Sequence, residues 1–507
     1  MSSMQKVFGH SRTAALGGKR KQQREARCVG GAESPFFGVR RSAGTVATLL
    51  CVAAALGGAP AAHAQGAGEG VTAAGLPQGH LQGPGSAPSC RQIDRDVGIR
   101  SWEIHSPSSC DTLLDDFGGW RSALASAGFG ISLFSLDNYN SNVLHDHTPV
   151  TVKTQAFGGQ VPTLSSLNSL YISYSLRSIG DPDGQLVLGG SVVRNTWINL
   201  GPSDNSLSAA YWYQSLFDKT VEFKIGYLST ALEYIGAQLG GTLAGGANGI
   251  SASIQYAQGF TPPTLSTPGV SVTYNINRDF YDKIGLVRST DPAGSTPNFT
   301  LNKYSTRFEI PGQEDGALAI NEFGYRHRPT ENSNFKWIRA GVFHNDSGFP
   351  EFSNRGATSH STVEYILGDY QVRKIGEGGG NGGPDRGFYV GGTFINANCN
   401  LSLFCKYAEV RLYGIGILPS RPGDIVSVIV NHSNFSGEDE AAIHLVAPHV
   451  AQTAVTLSYL AKIVPGWYIN GGLGYTEHPA FGSSITTTTT QSYASSLNVL
   501  LNTSIFF

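Results

Sequence analysis

Charged side chains are scarce in this sequence: 14% of its 507 residues are Asp, Glu, Lys or Arg, against roughly 25% in ordinary soluble domains. Methionine occurs only twice. Beyond residue 64 there is no run of about 18 apolar residues, which excludes a transmembrane helix. A chain of this kind crosses a membrane only as a closed barrel, because hydrocarbon offers no partner to an unpaired backbone amide. Neither a Gly-x-Ser-x-Gly nucleophile turn nor a phosphate loop is present; the glycine run at 378–383 lacks the Lys-Ser/Thr that phosphate binding needs. What the sequence has in quantity is glycine, 64 residues, together with 25 Phe and 21 Tyr. Few charges, much glycine and many aromatics suit strands with lipid on one side.

The first 64 residues read as an export signal. Lys6, Arg12, Lys19, Arg20, Lys21, Arg24, Arg27, Arg40 and Arg41 form a basic lead, residues 43–56 an apolar core, and Ala62-His63-Ala64 a cleavage site cut after Ala64. Removing this segment takes nine of the 35 basic and two of the 37 acidic residues, leaving 26 against 35. A chain of that acidity is not built for nucleic acid. Four cysteines remain in a compartment that permits disulfides, and local spacing between polar flanks pairs Cys90 with Cys110 and Cys399 with Cys405. Four cysteines allow three pairings. Zinc ligation does not suit either spacing, and His145-x-His147 has no third ligand nearby. No metal or cofactor is implied.

Residues 65–109 are rich in Gly, Pro, Ala and Ser without an apolar period and read as a flexible lead-in. Residues 110–127 read as a short periplasmic helix segment: Trp120, Leu124 and Ala127 share a helical face, and Asp115 and Asp116 precede them. From 128 to 507 the period is two. At the end of the chain Leu497, Val499, Leu501, Ile505 and Phe507 alternate with Ser496, Asn498, Asn502 and Ser504. A strand with a greasy face ending in an aromatic meets lipid and its interface in this way. Short turns at 181–184, 218–219, 277–279, 329–334, 376–386, 419–424 and 465–466 take turns with longer polar loops at 239–267, 289–315, 345–361 and 437–452. The fold expected is therefore all-β: a transmembrane antiparallel β-barrel of about 16 strands, both ends periplasmic, enclosing water.

Several motifs together resemble the OprB-type carbohydrate-selective outer-membrane porins. Residues 114–121 and the following 124–128 resemble that family's opening segment, with Asp115 where it has Gly and Phe117 where it has Trp. Residues 418–424 resemble its L-P-x-R-x-x-D turn, 385–388 its R-G-aromatic strand entry, and 459–467 its Y-x-x-x-I-x-P-W hairpin with Gly466 inserted. The likeness runs through 110–507 in order. It implies a channel in the bacterial outer membrane, not an enzyme, that passes mono- and small oligosaccharides by diffusion into the periplasm. Sugars and outer-membrane lipids would be its partners, and the strand ending at Phe507 would address the barrel-assembly machinery.

A sugar channel needs weak, repeated contacts, since a site that held its solute tightly would block flux. Forked guanidinium groups and carboxylates suit vicinal hydroxyls. Alternation turns Arg194, Glu222, Lys224, Glu322, Arg326, Arg339, Glu409, Arg411 and Lys462 inward as pore-lining candidates, because an Arg or Lys facing mid-membrane lipid costs about 2–4 kcal/mol. Alternatively, most of these charges form wall ion pairs that stiffen the barrel. The loop 236–267 either folds into the pore or stays outside. Two other functions fit a similar frame: an outer-membrane barrel enzyme, which needs a Ser–His pair oriented by a third polar group, and a general, non-selective porin.

Overall fold

The computed structural model describes residues 90–507 apart from 101, 104–106, 145–150, 153–154, 156, 198–204, 237–249, 291–315, 330–332, 355, 377–384, 403, 438–450 and 480–493. The export segment, the lead-in as far as residue 89, the His145-x-His147 pair and the 378–383 glycine run lie outside the described residues.

Sixteen antiparallel strands close on themselves, each paired with its neighbours in the sequence and the last with the first. They are β1 Phe129–Asn142, β2 Thr163–Ser175, β3 Gly184–Asn195, β4 Asn205–Leu216, β5 Val221–Leu228, β6 Thr267–Asn275, β7 Phe280–Arg288 and β8 Ala317–His327. The second half comprises β9 Lys336–Pro350, β10 Thr358–Gly376, β11 Arg386–Asn396, β12 Phe404–Ile415, β13 Ile425–Phe435, β14 Ala451–Val464, β15 Trp467–Glu477 and β16 Ser495–Phe506. Closure leaves no edge strand, so every ladder position finds a partner.

Alternation decides which face meets lipid. On β12, Glu409 is 4% exposed and the next residue, Val410, 54%. Tyr407, Arg411 and Tyr413 are buried with Glu409, while Leu412 is exposed with Val410. The closing strand follows the same rule: Ser496, Asn498, Asn502 and Ser504 are buried and Leu501 is exposed. Asn498 then donates from Nδ2 to Asn140 Oδ1 on β1 (2.6 Å), so an amide pair crosses the seam where the ring closes.

Two boundaries differ from the sequence reading. The loop expected at 345–361 is mostly strand: β9 and β10 stay paired through Asn345 with Ser361 and Pro350 with Thr358, leaving a connection of 351–357. Alternation continues because Asn345 and Phe349 are buried, and Asn345 Nδ2 donates to the Gln258 carbonyl from inside the barrel. In the segment expected as a helix over 110–127, the α-helix covers Trp120–Ser126 (α2), preceded by a 3-10 turn at Phe117–Gly119, since Asp115, Gly118 and Gly119 take positive φ. Asp116 compensates by accepting the amides of Arg121 (2.8 Å) and Ser122 (3.1 Å). Within the stretch read as lead-in, Cys90–Val97 form a further helix (α1), and Cys90 is bonded to Cys110, as Cys399 is to Cys405.

The segment after α1 is fastened to the tight-turn end of the ring beside the closing strand. Leu113 N donates to Phe506 O (2.6 Å), Arg121 reaches the Phe507 carbonyl, and Phe506 N donates to Gly466 O (2.7 Å). Gly466 has φ +76°, and a Cβ there would strike both Leu113 N and Phe506 O. The inserted glycine of the β14–β15 hairpin is thus what lets the N-terminal segment and the last strand meet.

Candidate functional site

Near the tight-turn end, the inward positions of β5, β7, β8 and β9 form a belt of charge. Lys283 and Glu322 are cross-strand partners on β7 and β8. Glu322 accepts the hydroxyls of Tyr281 (2.9 Å) and Tyr365 (2.8 Å) and lies 3.8 Å from Arg339. Those two tyrosines fit because Gly324 and Gly341 stand beneath them; a Cβ at either glycine would collide with the ring. Trp337 completes the wall: its Nε1 donates to Tyr281 (3.2 Å), and its ring carries the guanidinium groups of Arg339 at 4.0 Å and Arg326 at 4.3 Å.

Two segments that are not strands reach this belt from within. One follows β5: Glu233, in the short helix α3 Thr230–Glu233, holds Lys224 Nζ at 2.6 Å, and its backbone carbonyl accepts from Lys283 (3.2 Å). Tyr234 supplies its carbonyl to Arg339 (3.1 Å). The root of this loop is clipped, as Thr230 N donates to Thr261 Oγ1 (2.8 Å) and Thr261 N to Thr230 Oγ1 (2.7 Å). Farther on, helix α4 Ile250–Ala257 packs against β12, on the far side of the ring from β5. The described parts of the 236–267 loop therefore lie inside the barrel. The other segment is N-terminal: Trp102 sets its ring edge-on to Tyr171 (4.7 Å), and Glu103 pairs with both Lys283 and Arg326. Burial opposes ionisation of Glu103, yet Lys283, Arg326 and Lys224 outweigh it and hold its carboxyl well below the usual carboxylate range.

A second network lies on β10–β12. Arg411 pairs with Glu409 and with Asp369 (3.2 Å) and donates to Thr393 Oγ1 (2.9 Å); Tyr413 also donates to Asp369 (2.9 Å). Arg411 spans two strands because Gly391, in the row between, has no side chain to obstruct it. The rest of the ring is different in kind: its mid-strand inward positions carry uncharged groups, hydroxyls and amides such as Ser169, Ser191, Asn431, Thr456 and Asn498 beside apolar Leu167, Val187 and Ile429.

The nine candidate residues divide accordingly. Lys224, Glu322, Arg326 and Arg339 come together in the belt, and Glu409 and Arg411 form the separate network. Glu222 sits at the tight-turn rim, accepting Tyr213 (2.6 Å) and Asn275 (2.9 Å); Lys462, at the same rim, pairs with Asp111 (2.5 Å). Arg194 was expected inward and is not. It shares the outward face of β3 with exposed Leu186 and Leu188 and bonds Val193 O (2.6 Å) at the outer-loop end, where a lipid-side cation costs about 0–1 kcal/mol. Lys283, Asp369, Trp337, Glu103 and Glu233 were missed. Lys283 follows Asp282 directly, so two opposite charges compete for the inward place; Asp282 faces out and accepts from Asn321 (2.7 Å).

Among the described residues, a Ser–His–Asp arrangement stands at the tight-turn rim. His327 Nδ1 lies 3.2 Å from Asp279 Oδ2 and its Nε2 2.9 Å from Ser333 Oγ. It joins the β6–β7 turn to the β8–β9 connection.

No curated protein matches the sequence. Among solved structures the barrel is similar to Pseudomonas putida OprB in its high-pH form, with a TM-score of 0.62 and 15% identity over 81% of this chain and 99% of that one. The low-pH form of the same protein gives 0.47 and 15% over 78% and 98%. A mutant porin of Rh. blastica gives 0.42 and 12% over 75% and 100%. The family model for carbohydrate-selective porins of the OprB type matches residues 199–494, more than half of the chain. With that match, and a closed ring of sixteen strands around a polar interior, the chain belongs to the OprB family of carbohydrate-selective porins.

Proposed function

We propose that this porin lets mono- and small oligosaccharides diffuse passively through the outer membrane into the periplasm. The observation that carries this reading is the division of the inner wall. One side offers paired charges set on aromatic rings, the other neutral hydroxyls and amides, so a sugar can exchange water for side-chain hydrogen bonds without meeting a site that would retain it. Of the belt residues, Arg326, with 23% of its side chain exposed, would act on the solute, and the buried Lys224, Glu322 and Arg339 would hold the loop and the wall behind it. Glu409 and Arg411 satisfy each other and stiffen the wall; Glu222 and Lys462 secure the rim.

Liposome swelling with sugars of graded size tests this. Glucose should swell liposomes faster than maltotriose, and the larger sugars should fail. No swelling with glucose would defeat the assignment, and equal permeation by sugars and size-matched ions would make the channel a general porin. The rival enzyme reading has the Asp279–His327–Ser333 relay in its favour. Ester hydrolysis that disappears in Ser333→Ala would support it over diffusion.

The strand ending at Phe507 is, on this reading, the address read by the assembly machinery. Phe507 N donates to Leu133 O (2.8 Å), and its side chain lies on the lipid-facing side of β16. Deleting Phe507 should reduce the heat-modifiable, folded fraction recovered from outer membranes; full recovery would remove that role.

A further inference from the structure

Charges in the belt do not balance without the N-terminal segment. Four cations, Lys224, Lys283, Arg326 and Arg339, meet Glu233 and Glu322 from the loop and the wall. Glu233 serves Lys224, and Glu322 lies beside Arg339. Lys283, 1% exposed, and Arg326 both bond the carboxylate of Glu103, which stands opposite the Glu322 that faces Lys283 across the ladder. Glu103 is not part of the barrel. It belongs to a loop whose ends are joined by the Cys90–Cys110 bond and whose backbone is fixed to β3, Gln185 taking the amide of Arg100 (3.1 Å) and donating to Gly98 O (2.8 Å). Gly130 on β1 leaves room for this entry, since a Cβ there would run into Val97 O.

We propose that Lys283 and Arg326 form a carboxylate subsite of the pore, filled in this state by the chain's own Glu103, and that its external ligand is an acidic sugar such as a uronate. The chemistry follows from what occupies it. A carboxylate bridges an ammonium and a guanidinium group, and the guanidinium is itself seated on the rings of Tyr281 (5.4 Å from Arg326 Cζ) and Trp337. Arg326, with 23% of its side chain exposed, is the half of the pair that a solute can reach. The disulfide matters because it keeps the internal carboxylate at high effective concentration beside its site; an external acid must outcompete a tethered one. The subsite rests on the sugar-channel reading above.

Ion-current block in planar bilayers, with glucose and glucuronate as probes, separates the two. In the native protein glucuronate should block no better than glucose. Glu103→Gln removes the carboxylate that both cations bond, and glucuronate block should tighten about tenfold to a hundredfold, the range set by hydrogen bonds between charged groups, with glucose unchanged. Glu103→Gln combined with Lys283→Met and Arg326→Met should return glucuronate to the native level. Glucuronate block that is equal in native protein and Glu103→Gln, or that survives the triple substitution, overturns the subsite. Failure of glucose to permeate the native channel would instead defeat the sugar-channel reading. Glu103 lies outside the strand ladder, so Glu103→Gln should keep the heat-modifiable mobility of the folded barrel. Substituting Asp for Glu103 retains the carboxylate and should keep block near native; a tightening as large as that of Glu103→Gln would also overturn the proposal.

Discussion

Arg411→Leu should lower the unfolding free energy by about 3–5 kcal/mol, the cost of removing one partner from a buried ion pair. Arg411 is fully buried, and its removal strands two carboxylates, Glu409 and Asp369, that lie 4% and 3% exposed. Neither can reach water without disturbing the wall. Urea titration in detergent micelles, read by the heat-modifiable band shift, measures the change. The triple substitution Arg411→Leu, Glu409→Gln, Asp369→Asn should recover most of it, because a neutral network avoids the stranded charge altogether. A loss below about 1 kcal/mol in the single variant would mean that these groups are as solvated as surface pairs. Swelling rates for glucose should hardly move in the folded fraction, which distinguishes a wall stiffener from a residue that handles solute.

Glu409 and Arg411 also show how much of this molecule is legible from its sequence. A two-residue period assigns them inward because their neighbours Val410 and Leu412 cannot be anything but lipid-facing. The same logic reads the last strand from Leu497 to Ile505, and the short turns that count the ring to sixteen. It fails where the pattern is short or its charges adjoin. Arg194 sits one residue from the end of β3, where the penalty for facing lipid has faded, so alternation there carries no energetic force. Asp282 and Lys283 present two candidates for one inward place, and only the cross-strand partner Glu322 selects the lysine. Glu103 and Glu233 lie on segments without any period. Their roles come from tertiary closure: one segment is drawn in by a disulfide and by Gln185, the other by a threonine clip. The glycines were visible as a surplus, but that Gly324, Gly341 and Gly391 open space for Tyr281, Tyr365 and Arg411 depends on register, which single strands do not reveal.

Glu233→Ala should loosen the inner loop while leaving the barrel closed. Its carboxylate is the partner of Lys224, and both side chains are less than a tenth exposed. Without it a buried ammonium group loses the carboxylate it bonds, at a cost of up to about 3–5 kcal/mol, and α3 loses an attachment to β5. The ladder from β5 to β6 does not involve these side chains, so the ring should survive. In planar bilayers the consequence is a current that flickers as the loop moves in and out of the lumen, where the native channel is quiet. Lys224→Met with Glu233→Met removes both charges and fills similar volume; it should restore stability to within about 1 kcal/mol of native. Its current is the informative measurement. A quiet trace in the double variant means that packing of Tyr234, Ile235 and Phe260 against the wall positions the loop and that the ion pair matters only because half of it is costly. A noisy trace means that the pair itself sets where the loop stands, as its direct contact across the wall suggests. Quiet current in Glu233→Ala as well would show that the Thr230–Thr261 clip holds the loop without the ion pair.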